Sequence, residues 1–302
     1  DVQDPRNSPA GAILPLIVGF GCNVPALAAV RALPDARQRT ITAILVPYTS
    51  CAARLTVYVM LGAAFFPRQA GTVIFLMYVL SIALVVLAGL VMRRFSGRSA
   101  SVAPLLMVLP AYQAPRLGAM ASLTWQRTRG FVLGAGRMIV IVLTAMWLLM
   151  ALPATGEHRI ADVPVHDSVY GATAQAVAPV FAPAGFDGWQ ASAALITGFV
   201  AKEVVVGSFA QAFAVEEPAD PAAPATLGGR LRETFEESSG GHGAAAALAF
   251  MVFVLAYTPC VATLAEQRRI LGWRVTLAAV GAQLVTAWVL AVVTFQILRA
   301  VL

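Results

Sequence analysis

Long apolar runs separated by short polar connections dominate the chain. Those at 39–66, 71–92, 131–152, 243–264 and 274–299 each reach the roughly 20 residues a helix needs to cross a ~30 Å hydrocarbon core. They predict spanning helices. Two further runs, 11–32 and 189–215, are equally apolar but interrupt themselves. The first, "LIVGFGCNVPALAAVRAL" from Leu16, contains Gly19, Gly21, Cys22, Asn23 and Pro25. The second, "WQASAALITGFVAKEVVVGSFAQAF" from Trp189, carries Lys202 and Glu203. Glycine and proline disrupt helices, and non-helical backbone at membrane depth is tolerated only inside protein or against a wet cavity. Both runs therefore predict broken or re-entrant hairpins.

Composition agrees with this pattern. Of 302 residues, 59% are hydrophobic and 12% charged, against about 25% charged in soluble domains. The mean hydropathy is +0.77. The fold class expected is all-α, a polytopic membrane protein, and the pI near 9.7 reflects basic loops rather than nucleic-acid binding. Asp1 is preceded by no basic, apolar leader, so no signal peptide is expected, and the chain reads as a piece of something longer. Cys22, Cys51 and Cys260 lie in or beside apolar runs, which argues against an extracellular disulfide framework.

Orientation follows from the arginines, since short cytoplasmic loops carry the basic excess. Arg31, Arg37 and Arg39 form one group, Arg93, Arg94 and Arg98 a second. Arg116, Arg127, Arg129 and Arg137 form a third, and Arg268, Arg269 and Arg274 a fourth. The connections 153–188 and 216–242 are acidic by comparison. The basic groups are placed in the cytoplasm and the acidic connections outside. Run 189–215 must then enter and leave on the same side.

Two halves of the chain rhyme. "GFGCNVP" in the first hairpin matches "GFVAKEV" in the second, and each is followed by a spanning run with its own matching element, "YTSCAARL" from Tyr48 and "YTPCVATL" from Tyr257. The second spacing is longer by about the length of connection 216–242. With the charge bias above, the halves form an inverted repeat, each a broken hairpin plus two spanning helices. Its expected parts are a first Gate-type repeat at 11–95, a connection at 96–188 and a second repeat at 189–299 with the insertion 216–242. The connection holds an amphipathic helix, the span 131–152 and an external acidic loop. Transporters built this way hold their cargo near the midplane, where the discontinuous segments meet.

The chemistry sits at the interruptions. Lys202 is the only lysine, and Glu203 the only acid within an apolar run; mid-membrane, each costs about 2.5–3.5 kcal/mol to insert. Adjacent helical residues do not face one another, so each needs its own partner, although a structural ion pair is the competing reading. Thiol, amide carbonyl and carboxylate from Cys22, Cys51, Cys260, Asn23 and Glu203 suit a borderline first-row divalent metal better than calcium or sodium. Against this, a buried cysteine often serves only as a small hydrophobe. Arg54, Lys202 and Thr197 are accessory candidates; Arg54 serves equally well as a carbonyl-binding group. Pro47 and Pro259 predict kinks beside the cysteines. His158, His166 and His242 fall in the external connections and read as solvated loop residues rather than ligands. No G-x-x-x-x-G-K-[ST] loop, G-x-S-x-G or H-E-x-x-H is present, so neither nucleotide hydrolysis nor those hydrolytic chemistries are expected of this chain.

The elements "GFGCNVPALAAVRAL", "PYTSCAARLTVY", "AAFFP", "TWQRTRGFVLGAG", "TGFVAKEVVVGSF" and "YTPCVATLA" together resemble the membrane region of the FeoB ferrous-iron transporters, in order from about residue 11 to 299. The resemblance implies a two-Gate-domain permease, not an enzyme, importing Fe2+ across the bacterial cytoplasmic membrane. It places Cys22, Asn23, Cys51, Glu203 and Cys260 on the metal path. The family's GTP-binding and helical linker domains precede its membrane region and have no counterpart here. They are expected upstream or on a separate chain. As partners the resemblance implies the lipid bilayer and that GTPase domain, and it leaves room for a small cytoplasmic accessory protein and a homo-oligomer. Competing readings are a Gate-type permease for another solute such as a nucleoside, an intramembrane cysteine enzyme, and a structural membrane subunit.

Overall fold

The computed structural model describes residues 10–33, 35–95, 116–154, 163–215, 218 and 225–301. Among them, regular structure is helical apart from an isolated bridge between Pro153 and Ser168. His158 and parts of the two acidic connections, 155–162, 216–217 and 219–224, lie outside the described residues.

The chain opens with α1 (Ala10–Gly19) and α2 (Asn23–Val30), which pack on one another across the Phe20–Cys22 break. Next come α3 (Ala36–Leu45) and α4 (Ala52–Phe65), separated by a tight turn at Val46–Tyr48 and extended residues to Cys51. Together they make one 30-residue stretch long and apolar enough to span. The long helix α5 (Ala70–Phe95) closes this set. Then α6 (Leu117–Ala151) runs unbroken for 35 residues. The expected span 131–152 is therefore the second part of a longer helix.

The same order then recurs. Helices α8 (Trp189–Val200) and α9 (Val205–Ala212), which follow the short α7 (Val169–Val177), pack against one another across Ala201–Val204. After α10 (Ala225–Ser239) come α11 (Gly243–Ala256) and α12 (Val261–Leu271), separated by Tyr257–Cys260, and finally α13 (Trp273–Val301). The expected spans 39–66 and 243–264 are thus not continuous helices with proline kinks. Each stops at its Y-T-x-C element and restarts at the cysteine, because extended backbone at Thr49–Cys51 and at Tyr257–Cys260 interrupts the hydrogen-bond ladder.

The connections expected as loops contain packed helices. Leu227, Leu231 and Phe235 repeat every fourth residue on α10, and all three are buried. That spacing lays one apolar stripe on the bundle, and Phe235 meets the edge of the Phe250 ring on α11. Likewise Ser168 caps α7 by accepting from the Gly171 N–H at 3.1 Å, and Tyr170 is buried under α8. The main core runs from α4 through α9, α10 and α11 to α13. Outward-facing Phe75, Leu76, Val86, Leu87, Val285 and Val289 stay exposed on α5 and α13, as spanning helices do when their outer face meets lipid tails.

Candidate functional site

Where the helices stop, the two halves share backbone conformation at two pairs of equivalent positions. Cys22 has φ −151° and ψ 131°; Ala201, at the corresponding place in "GFVAK", has φ −151° and ψ 120°. Cys51 (φ −72°, ψ 163°) and Cys260 (φ −60°, ψ 157°) are likewise alike. In each half a glycine lets the hairpin approach its own Y-T-x-C element. A Cβ at Gly19 would collide with the Thr49 hydroxyl, and one at Gly198 would lie 2.6 Å from the Tyr257 hydroxyl. The correspondence pairs Asn23 with Lys202, Thr49 with Thr258, and Arg54 with Thr263.

The breaks also touch one another. The Ala52 N–H donates to the Gly21 carbonyl at 3.1 Å, joining the first hairpin tip to the start of α4. The one hydroxyl proton of Thr49 is shared between the Val46 carbonyl, at 2.7 Å, and Asn23 Oδ1, at 3.2 Å. The Ser50 N–H donates to Ser81 Oγ, which donates on to the Tyr48 carbonyl, both at 2.9 Å. Carbonyls and N–H groups freed by an interrupted helix must find partners, and these side chains supply them.

Arg54 is fully buried. Its guanidinium donates to the carbonyls of Thr49 (2.6 Å) and Pro47 (2.9 Å) and, across the two halves, of Tyr257 (3.4 Å). One side chain thus binds the loose ends of both broken spans, the carbonyl-binding role weighed for it from the sequence. Lys202 is also buried. Its Nζ has no hydrogen-bond partner and sits 4.3 Å from the Tyr257 ring centroid, a cation–π distance. Glu203, its neighbour, is exposed. The two do not form the structural ion pair considered above.

Cys22 lies within electrostatic reach of Cys260, Cys51 and Glu203, and Lys202 within reach of Arg54, Cys51, Cys260 and Glu203. Cys22 is exposed; Cys51 and Cys260 are half-buried. The Cys260 thiol contacts Thr263 Oγ1 at 3.1 Å. These groups share a neighbourhood but not a coordination sphere: among the described residues no three histidine, cysteine or acidic side chains stand close enough to hold a metal ion.

Thr197 sits in a polar cluster with Tyr170 (2.5 Å) and Ser208 (3.2 Å). Sequence reasoning missed Tyr170 and Ser208, which lack any spacing signal, and it missed Tyr257 as the platform for Lys202. Of the histidines, His166 is exposed, 2.9 Å from Asp167 and edge-on to Trp189. It lines an open cavity of about 670 Å³ together with Asp187, Gln190 and Glu237. His242 is not a solvated loop residue: it immediately precedes α11, and its Nδ1 is buried.

A family model described as "Nucleoside recognition", the Gate model, matches residues 132–274, and one described as "Ferrous iron transport protein B C terminus" matches residues 74–127. Together with the apolar spans, they place the chain among multi-pass helical Gate-type proteins of the cytoplasmic membrane. Within that class it belongs to the FeoB family, as part of the membrane region. The Fe(2+) transporter FeoB of Methanocaldococcus jannaschii is 34% identical over 94% of this chain and 41% of its own length. Those of Salmonella typhimurium (35%) and Escherichia coli K12 (34%) match 85% of this chain and 38% of their own length. The chain therefore spans about two-fifths of the length of these relatives (38–41%). No solved structure matches it significantly.

Proposed function

We propose that this chain forms the permeation unit of a ferrous-iron importer, with Fe2+ passing between the four helix interruptions. The observation that carries the reading is that Cys22, Cys51, Cys260 and Glu203 each sit at one of the four helix interruptions, in both halves: Cys22, Cys51 and Cys260 immediately before α2, α4 and α12, and Glu203 in the turn between α8 and α9. Thiolate and carboxylate donors together favour a borderline divalent ion over sodium, potassium or calcium. The relatives that align along most of the chain are ferrous-iron transporters by name.

On the positive-inside reading the two halves lie inverted, and the interruptions fall near the midplane, as in other inverted-repeat carriers. In the conformation described here the donors stand apart. Loading then requires the exposed hairpin tip bearing Cys22 to approach Cys51 and Cys260. The tip is held by the Gly21–Ala52 and Asn23–Thr49 hydrogen bonds, few enough to exchange for metal bonds. Asn23 serves as a hinge anchor and a carbonyl donor. Arg54 keeps the broken spans in register and is not a ligand. Energy coupling belongs to a GTPase domain that accompanies this region in the whole protein.

The Gate model's printed name keeps a nucleoside-like solute as the alternative cargo; the thiols argue for iron. The test is uptake of radiolabelled Fe2+ by the full-length protein in proteoliposomes. Cys22→Ser and Glu203→Gln should each abolish uptake while the protein still inserts and runs as a single species. Wild-type uptake by both variants would remove the assignment.

A further inference from the structure

Away from the thiols, three arginines from three helices line one pocket of about 340 Å³: Arg31 at the end of α2, Arg39 on α3 and Arg269 on α12, with Ile270 as the apolar wall. Arg31 and Arg39 belong to the first half of the fold and Arg269 to the second. Glu266 partly neutralises them, accepting from Arg31 and, at 2.9 Å, from Arg269. Arg39 has no carboxylate partner among the described residues. Three cations against one anion leave the pocket with excess positive charge in a concavity, an arrangement that selects an anion able to accept several N–H donors at once. A phosphate group fits that requirement through paired guanidinium contacts.

The position decides which phosphate. Arg39 lies in the first turns of the spanning stretch Ala36–Phe65, and Ile270 ends the stretch Gly243–Leu271, so the pocket sits at the membrane boundary. Beside it, exposed Trp273 carries the Arg268 guanidinium 5.7 Å above its ring, the aromatic and basic signature of a headgroup layer. On the positive-inside reading this is the cytoplasmic leaflet, where basic pockets between helices meet anionic lipids. We propose that the Arg31–Arg39–Arg269 pocket binds the phosphate headgroup of an anionic phospholipid, which ties the two repeats together on their cytoplasmic face. The lipid phosphate competes with Glu266 for Arg31 and Arg269 and brings Arg39 the counter-ion it lacks.

The test is native mass spectrometry of the full-length protein released from nanodiscs of phosphatidylcholine with phosphatidylglycerol. Wild type retains phosphatidylglycerol over phosphatidylcholine. Arg39→Gln with Arg269→Gln lowers that retention at least tenfold, since each arginine near an anionic surface is worth about fivefold. Glu266→Gln raises it, because the competing carboxylate is gone. Arg230→Gln, at an exposed position of α10 beside Glu233, leaves it unchanged, and all variants must keep the wild-type elution profile and melting temperature. Equal retention by wild type and the double variant overturns the proposal. So does displacement of the lipid by millimolar inorganic phosphate, which would make the pocket a free-anion site. Equally fatal is protection of these arginines from phenylglyoxal in pure phosphatidylcholine, which would mean a protein segment fills the pocket. None of these outcomes depends on iron transport.

Discussion

The two Y-T-x-C elements place their cysteines in the same extended conformation yet divide the work unequally. Three residues past the cysteine, the first half places Arg54, buried and donating to three carbonyls, one of them in the other half. In the same position the second half places Thr263, whose hydroxyl lies 3.1 Å from its own cysteine's sulfur. The hairpin tips differ in the opposite sense. Asn23 is neutral and hydrogen-bonded to Thr49, whereas its counterpart Lys202 is buried without a hydrogen bond over Tyr257. The two halves thus share the glycines and extended turns that geometry demands. The side chains differ, so that one half staples the interruptions and the other buries a lysine without a hydrogen-bond partner.

Substitutions can break this contrast. The largest effect is expected at Arg54. Arg54→Met leaves buried carbonyls without donors and should destabilise the detergent-solubilised protein by about 3–5 kcal/mol, read as a lost or sharply lowered thermal transition. Thr263→Ala at the matching position should cost about 1 kcal/mol or less. Comparable losses at the two sites would erase the division of labour.

Next come the glycines. Gly19→Ala and Gly198→Ala should each cost about 1–3 kcal/mol by overpacking, since each drives a methyl group into Thr49 or Tyr257. Gly21→Ala meets only the Val18 carbonyl at an ordinary 3.4 Å and should melt within ~0.5 kcal/mol of wild type. If Gly21 proves as sensitive as its neighbour, close approach is not what those glycines provide.

The smallest shift in stability separates the hairpin tips. Asn23→Ala should lose about 1 kcal/mol with its hydrogen bond. Lys202→Met removes a buried amine that lacks a hydrogen-bond partner and should leave the melting temperature unchanged or raised, while Fe2+ uptake falls. A large drop in stability for Lys202→Met would mean that the lysine is structural after all.

Much of this was legible in the sequence because the relevant residues are costly where they stand. Glycine, asparagine, lysine and glutamate inside apolar runs mark the hairpin interruptions without any structure. The interruptions at Thr49–Cys51 and Tyr257–Cys260 were harder to see. Pro47 and Pro259 signal disturbance, but whether a helix kinks or stops depends on partners far away in the chain, such as Ser81 and Arg54. The helices in the connections left a trace in the fourfold spacing of Leu227, Leu231 and Phe235, masked by their acidic surroundings. The seat of Lys202 on Tyr257 left none, because a contact between residues so far apart in the chain has no local pattern.

The central claim is that Cys22, Cys51, Cys260 and Glu203 act on one ion. Its most direct test is mass-spectrometric alkylation of the full-length protein in nanodiscs, titrated with Fe2+ under reducing, anaerobic conditions. All three cysteines should become protected together at a single midpoint, and Glu203→Gln should move that midpoint at least tenfold to higher Fe2+. Protection of the cysteines at unrelated midpoints, or a midpoint indifferent to Glu203, would contradict a shared site.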